Sequence, residues 1–202
     1  MSETYGFEKL SIRKLTDSRK PDTTAKIHVI EGETKKGAPV TMEITGLKKE
    51  GVKVWGGNLE YFTVRKGVGE VAANYGLLDL PYEVEQELLG YIKMDEGIDA
   101  IGENTEAPYV ATVAESEDFS TGEPVAFAVV AGTFSKDGLS LATKTDGDFT
   151  PEPGEYVLSA VSREVTFETQ TERVHVLRAF GDSAVTKLKK VVLGEPNTIP
   201  EG

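Results

Sequence analysis

The chain has 202 residues, 39% of them apolar and 28% charged, an ordinary balance for a folded domain long enough to bury a core without staples. It contains no cysteine, which excludes disulfide frameworks, CxxC zinc sites and thiol catalysis, and its net charge of −12 argues against a surface that grips nucleic acid throughout. No apolar run approaches the roughly 18 residues that span a membrane, and Met1–Leu10 has no secretory h-region, so the expectation is a soluble protein made in the cytosol. The charge is unevenly placed. Residues 1–66 carry 13 Lys/Arg against 9 Asp/Glu, whereas residues 95–170 carry 3 against 16. Two differently solvated surfaces would account for this, and so would two ends that complement each other between neighbouring copies, favouring head-to-tail stacking.

In chain order, FEKLSIRKL (7–15) alternates as a first strand, DSRKPDTTA (17–25) is a charged turn, and KIHVI (26–30) is a short second strand. EGETKKGAP (31–39) is a polar loop with no packing face. VTMEITGL (40–47) and VKVWGG (52–57) read as strands, as do LEYFTVRKG (59–67) and GEVAANYGLL (69–78). GLLDLPYEVEQELLG (76–90) then breaks the pattern with a short helix. Pro81 fits its first position, Asp79 lies near the positive end of its dipole, Val84, Leu88 and Leu89 form an apolar side, and Gly90 supplies a left-handed cap. A helix this short must lean on something, and a sheet surface is the natural support.

Residues 91–108 read as one short strand and a long loop. YVATVAESED (109–118) and PVAFAVVAGTFS (124–135) form the strongest hairpin pattern, with FSTGE as its turn. GLSLATKT (138–145) reads as a strand and DGDFTPEPGE (146–155) as an acidic loop. YVLSAVSREVTFET (156–169) and ERVHVLRAF (172–180) read as a further strand pair. DSAVTKLKKVVLG (182–194) repeats the helix grammar, capped by Asp182 or Ser183, with Ala184, Val185, Leu188, Val191 and Val192 as a stripe; its alternation leaves a strand as the other reading. Residues 195–202 read as a flexible tail. The pattern predicts a mainly β chain in a single domain, a β-sandwich or partly closed barrel with a short helix at its flank.

Catalytic signals are weak. His28 and His175 each fall inside a predicted strand without a second metal-ligating residue at a recognised spacing, and no HExxH, GxSxG or Walker pattern occurs. Glu115, Glu117 and Asp118, or Asp146, Asp148 and Glu152, could offer carboxylates to a divalent ion, but neither set follows a Ca²⁺-loop spacing, and solvated loop ends explain them better. Trp55, Tyr61, Phe62 and Tyr75 could form a stacking platform for sugars or bases, although aromatics in alternating strands are usually core or cross-strand pairs. The expectation is a chain that is not an enzyme and uses no cofactor or metal.

The helix GLLDLPYEVEQELLG, followed by IGENTEAPYVATVAESED and VAGTFSKDGLSLATKT, resembles the major tail proteins, or tail tube proteins, of long non-contractile-tailed phages of Gram-positive bacteria. In those proteins a similar LLDLP-x-E-V-E-x-LLG helix precedes IGE-x-TE-x-PYVA, ESED and G-x-FS-x-DG in the same order. The N-terminal GFEKLSIRKL and IEGE look similar too. The resemblance runs from about residue 5 to about residue 165 and is sharpest over 76–145. It implies a virion tail protein assembled in the host cytoplasm, with a β-sandwich flanked by a helix, as in the tube of type VI secretion. Six copies would form a ring whose inner sheets join into a barrel. Rings would stack head-to-tail on a tape measure protein, between distal tail and tail terminator proteins, and conduct double-stranded DNA during ejection.

An acidic lumen would let phosphates slide without sticking. On that basis Glu60, Glu70, Glu115, Glu117 and Asp118 are candidate lumen or ring-contact residues. The polar loop 31–39, with Glu33, Lys35 and Lys36, is the candidate arm between rings. The competing readings are a carbohydrate- or surface-binding β-sandwich module for decoration or adhesion, and the inner tube of a contractile tail.

Overall fold

The computed structural model describes residues 3–56, 59–64, 67–139, 143 and 151–194; at 52, 54, 56 and 60–64 it describes the backbone alone. The expected strand 138–145, the acidic loop 146–155 and the tail 195–202 therefore lie largely or wholly outside the described residues. Within them the chain forms β1 (Thr4–Lys14), β2 (Ile27–Ile30), β3 (Ala38–Thr45), β4 (Val52–Gly56), β5 (Leu59–Val64), β6 (Ala72–Leu78), α1 (Tyr82–Leu89), β7 (Ile92–Asp95) and β8 (Ile98–Ala100). There follow β9 (Val110–Asp118), β10 (Pro124–Ser135), β11 (Gly154–Ala160), β12 (Arg163–Phe167), β13 (Gln170–Val174), β14 (Val176–Phe180) and α2 (Asp182–Leu193).

The organising element is one antiparallel sheet in the order β2-β1-β9-β10-β11-β6-β3, with β14 also paired to β10. The sheet is not closed into a barrel. It curls enough for β1 and β3, from opposite parts of that order, to touch. The centre is the expected hairpin of β9 and β10, in register from Pro124 opposite Glu117 to Val129 opposite Thr112. β10 serves two partners on its other side: Val125–Val129 pair with β14, and Gly132–Ser135 pair with β11. Where it changes partner, one extra residue bulges against β9, because Gly132 rather than Ala131 faces Val110. The bulge explains why Val129, Val130 and Ala131 are all buried: Val129 faces one side of the sheet, and Val130 and Ala131 both face the other.

Both sides of the central strands are covered, so β9 and β10 read as near-continuous apolar runs rather than strict alternations. On one side Leu10, Ile12, Val110, Tyr75, Leu158 and Phe134 form a core under Leu88 and Leu89 of α1. On the other, Ala111, Val113, Ala126, Ala128 and Val130 pack beneath α2 and Val165 of β12. The small residues on that second side let the helix lie close. α2 buries Val185, Leu188, Val192 and Leu193; at about 1.5–3 kcal/mol for each fully buried aliphatic side chain, this burial outweighs anything helical propensity alone could supply.

The helix over 182–194 forms as expected, although Gly181 rather than Asp182 or Ser183 occupies the N-cap, with no side-chain capping bond. In α1, Pro81 sits one position earlier than expected, as the N-cap. Gly90 adopts the left-handed cap at φ 67°, its N–H donating to Gln86 and Glu87 carbonyls. Two regions differ from the sequence expectation. Residues 91–108 hold a two-stranded hairpin, β7 with β8, instead of one strand. The two long strands expected over 156–169 and 172–180 are four. β11 and β14 stay in the main sheet, and between them β12 and β13 leave it as a hairpin against α2, paired from Arg163–Val174 to Phe167–Gln170.

Candidate assembly surfaces

The features most open to other molecules are edges and hairpins. β3 pairs only with β6 among the described residues and forms one edge of the main sheet; β2 forms the other. β4 and β5 pair with each other and not with the main sheet, and this hairpin displays Trp55 and Leu59, 65% and 73% exposed. The β7–β8 hairpin displays Met94 and Ile98. It is held to α1 by Asp99, which accepts hydrogen bonds from Gln86 and Tyr82; that bond pushes the Tyr82 pKa up to about 12. Between α1 and this hairpin lies an open hollow of about 570 Å³ lined by Tyr82, Gln86, Lys93, Met94 and Asp95, without the apolar enclosure of a small-molecule pocket.

A rigid frame supports these surfaces. Arg13 of β1 is fully buried and donates from Nε to the Asp22 carbonyl (2.9 Å) and from Nη1 to the Leu193 carbonyl (2.8 Å). Arg163 of β12 donates to the Val192 and Val191 carbonyls at 3.1 and 3.0 Å. Two buried guanidinium groups thus satisfy the last carbonyls of α2 and offset the negative end of its dipole. Burial lowers the Arg163 pKa to about 10, leaving it charged at neutral pH. On the opposite side, Glu85 of α1 accepts from Lys136 Nζ (2.7 Å) and Tyr156 OH (2.8 Å), and His28 Nε2 lies 3.0 Å from Glu87. The Tyr75 hydroxyl bonds Thr112 Oγ1 at 2.7 Å inside the core.

The acidic residues singled out in the sequence do not share one place. Glu115 faces α2 and pairs with Lys189 Nζ at 2.9 Å. Glu117 is exposed on the same side of β9. Asp118 is buried, and its Oδ1 accepts from the backbone N–H groups of Ser120 and Thr121, holding the β9–β10 turn. Glu70 is exposed just before β6, and Glu60 lies in β5, where the structure describes its backbone alone. Glu33, Lys35 and Lys36 sit on a compact exposed turn. There Lys36 pairs with Glu33, the Lys35 N–H donates to Asp79 Oδ2 (2.9 Å), and Lys9 pairs with Glu31 (2.8 Å). The Lys9 hydrogen bond holds the Glu31 carboxyl below its ordinary pKa. Asp79 thus serves this turn, at a backbone φ of 49°, rather than the helix it precedes. Of the aromatic set, Tyr75 is core and Trp55 is surface, so the two do not share a platform; Tyr61 and Phe62 side chains lie outside the described residues.

The sequence reading passed over the two arginines. A signal was present, because Ser11, Arg13 and Leu15 alternate with Leu10, Ile12 and Lys14, which places Arg13 on the side that α2 covers.

Among the described residues, a mainly β sheet with β2 and β3 as its edge strands and two hairpins displaying apolar side chains offers surfaces for association. A family model described as phage tail tube protein matches residues 14–152. The chain belongs to that family and is a structural subunit of the tail tube of a virion. No curated protein and no solved structure matches it. Among the described residues no helix is long and apolar enough to cross a membrane.

Proposed function

We propose that six copies of this chain close into a ring, that rings stack into a hollow tube, and that the tube conducts double-stranded DNA during ejection. The tail belongs to the long, non-contractile type of phages of Gram-positive bacteria. The observation that carries the ring is the sheet that stops short of closing: among the described residues β3 hydrogen-bonds only β6, although β1 lies against it, and the β4–β5 hairpin pairs only with itself. A long exposed edge left in this state would pair indiscriminately, and closure around a ring removes it.

In this reading the tube grows on a tape measure protein between distal tail and tail terminator proteins, after synthesis in the host cytoplasm. Glu70, exposed just before β6, and Glu60 of β5 are the candidates for the lumen wall. Glu33, Lys35 and Lys36 offer their exposed turn to the neighbouring ring, and no bond is made or broken in the protein's work. Native mass spectrometry of the fastest species in a sedimentation-velocity run at rising concentration tests the ring. A species of six chains supports it. A chain that stays monomeric at every concentration, and also when co-expressed with its tape measure protein, removes it.

A further inference from the structure

The strand register places two opposite kinds of surface at the two ends of the central sheet. At the first end Tyr5 of β1 lies opposite Glu117 of β9, and Glu117 lies opposite Pro124 of β10. The Phe119 N–H donates to the Glu3 carbonyl (2.8 Å), and Phe180 of β14 lies opposite Val125. The Tyr5 and Phe119 rings are 6.0 Å apart, tilted, and 68% and 67% exposed; Phe180 is 50% exposed. Glu3, Glu117, Glu123 and Asp182 belong to the strand ends and turns of this same end, all exposed, and none is in an ion pair among the described residues. Arg178 lies 5.8 Å from the Phe180 ring centroid, and Lys189 is held by Glu115, two residues before Glu117 on the same side of β9.

At the second end β1 finishes at Lys14, opposite Val110. The turn that follows folds back so that the Asp22 N–H donates to the Lys14 carbonyl and the Thr16 N–H to the Lys20 carbonyl. This end displays Lys14, Lys20 and Lys26, with Arg19 set over the Tyr109 ring at 5.2 Å. Asp17 and Asp22 lie in the same turn, the Asp22 carboxylate occupied by Thr24, and Arg19 also donates to the Ser162 carbonyl, two residues before exposed Glu164. With eleven residues in β1 the two ends stand roughly 30 Å apart.

We infer that the aromatic, acidic end of one copy docks onto the basic end of a second copy, head to tail. The inference rests on the reading of this chain as a self-assembling subunit and gives that assembly its polarity and its residues. Tyr5 and Phe119 form the apolar centre of the contact, and the carboxylates form its charged rim against Lys14, Lys20 and Lys26. An exposed aromatic pair inside a charged border is the anatomy of a docking surface, and the opposite charge sits at the far end of the same chain. A heterologous contact between two different ends repeats without closing, which is what an axial stack requires.

The test is a pair of charge-reversed chains. One carries Glu117→Lys and Glu123→Lys and so presents two basic ends; the other carries Lys14→Glu and Lys20→Glu and presents two acidic ends. All four side chains are exposed, and circular dichroism checks each fold. The expected result, read as the sedimenting fraction at matched concentration, is at least a tenfold loss of assembly for either variant alone and recovery when the two are mixed, because unlike ends meet again at every contact. Misfolded variants would not recover on mixing. A wild-type chain that assembles, beside variants that assemble equally well alone, overturns the inference and leaves self-assembly standing. Variants that lose assembly and stay apart when mixed also overturn it. A wild-type chain that never associates overturns both.

Discussion

At the scale of single residues, the strongest commitments are buried polar groups that tie α2 and α1 to the sheet. Arg163 is 7% exposed and supplies two charge-assisted hydrogen bonds to helix-end carbonyls. Arg163→Met should lower stability by about 2–3 kcal/mol in urea denaturation, because the carbonyls of Val191 and Val192 lose a charged donor. Arg173→Met, on the exposed side of the same hairpin, should stay within about 0.5 kcal/mol.

Tyr75 and Tyr156 give a pH prediction. Burial raises both phenol pKa values above the ordinary 10.0, with the Glu85 carboxylate adding to the shift at Tyr156, while Asp99 raises Tyr82 to about 12. A phenol with a raised folded pKa keeps its proton more firmly in the fold than in the unfolded chain. Its stabilisation is therefore complete below pH 10.0 and lost as pH rises through the folded value. Phenolate absorbance from Tyr75 and Tyr156 should appear together with the loss of far-ultraviolet circular dichroism in an alkaline titration. Their ionisation in a chain that is still folded would contradict the burial argument.

At the scale of elements, local grammar was readable wherever the chain punctuates itself. Gly90 shows why. Its φ of 67° suits glycine, and a Cβ there would lie 2.0 Å from the Glu106 carbonyl oxygen. Gly90→Ala should cost at least about 2 kcal/mol, whereas Gly97→Ala, at φ 71° in the open β7–β8 turn, should cost about 1 kcal/mol; thermal unfolding of the pair separates backbone strain from collision.

The central hairpin and both helices were legible from periodicity, caps and turn residues. The breaks within 156–180 were not, because Val161-Ser162 and His175 carry no turn signal. The chain leaves the sheet there to cover α2, a tertiary demand that no local pattern records. The bulge at Val129–Gly132 was equally silent, since both sides of β10 are buried and alternation has nothing to contrast. Of the candidate residues, Asp118 has a local signature in the FSTGE turn it holds, while the pairing of Glu115 with Lys189 depends on a helix 74 residues later. The β4–β5 hairpin yields an element-scale prediction. The Gly69 N–H donates to the Gly46 carbonyl, so the hairpin's base is already closed. Removing 51–66 should leave the melting temperature within a few degrees while abolishing assembly in a pelleting assay. Retained assembly would take the hairpin out of the ring contact.

At the scale of the whole molecule, the described residues form a sheet covered on both faces, with β2 and β3 as its edge strands. Residues 95–170 concentrate its acid, and the register gathers carboxylates and aromatics at one end of the sheet with lysines at the other. Covered faces give the subunit its core, and edge strands with one hydrogen-bonded neighbour give it somewhere to add. Complementary ends also make the stack sensitive to ionic strength: raising salt from about 0.05 M to 1 M, where the Debye length falls to about 3 Å, should reduce the sedimenting fraction before it reduces helical content.

The most direct measurement is negative-stain electron microscopy of the purified chain at high concentration, alone and with its tape measure protein. The account predicts hollow tubes or six-membered rings with a central channel. Monomers or irregular aggregates in both samples would contradict it.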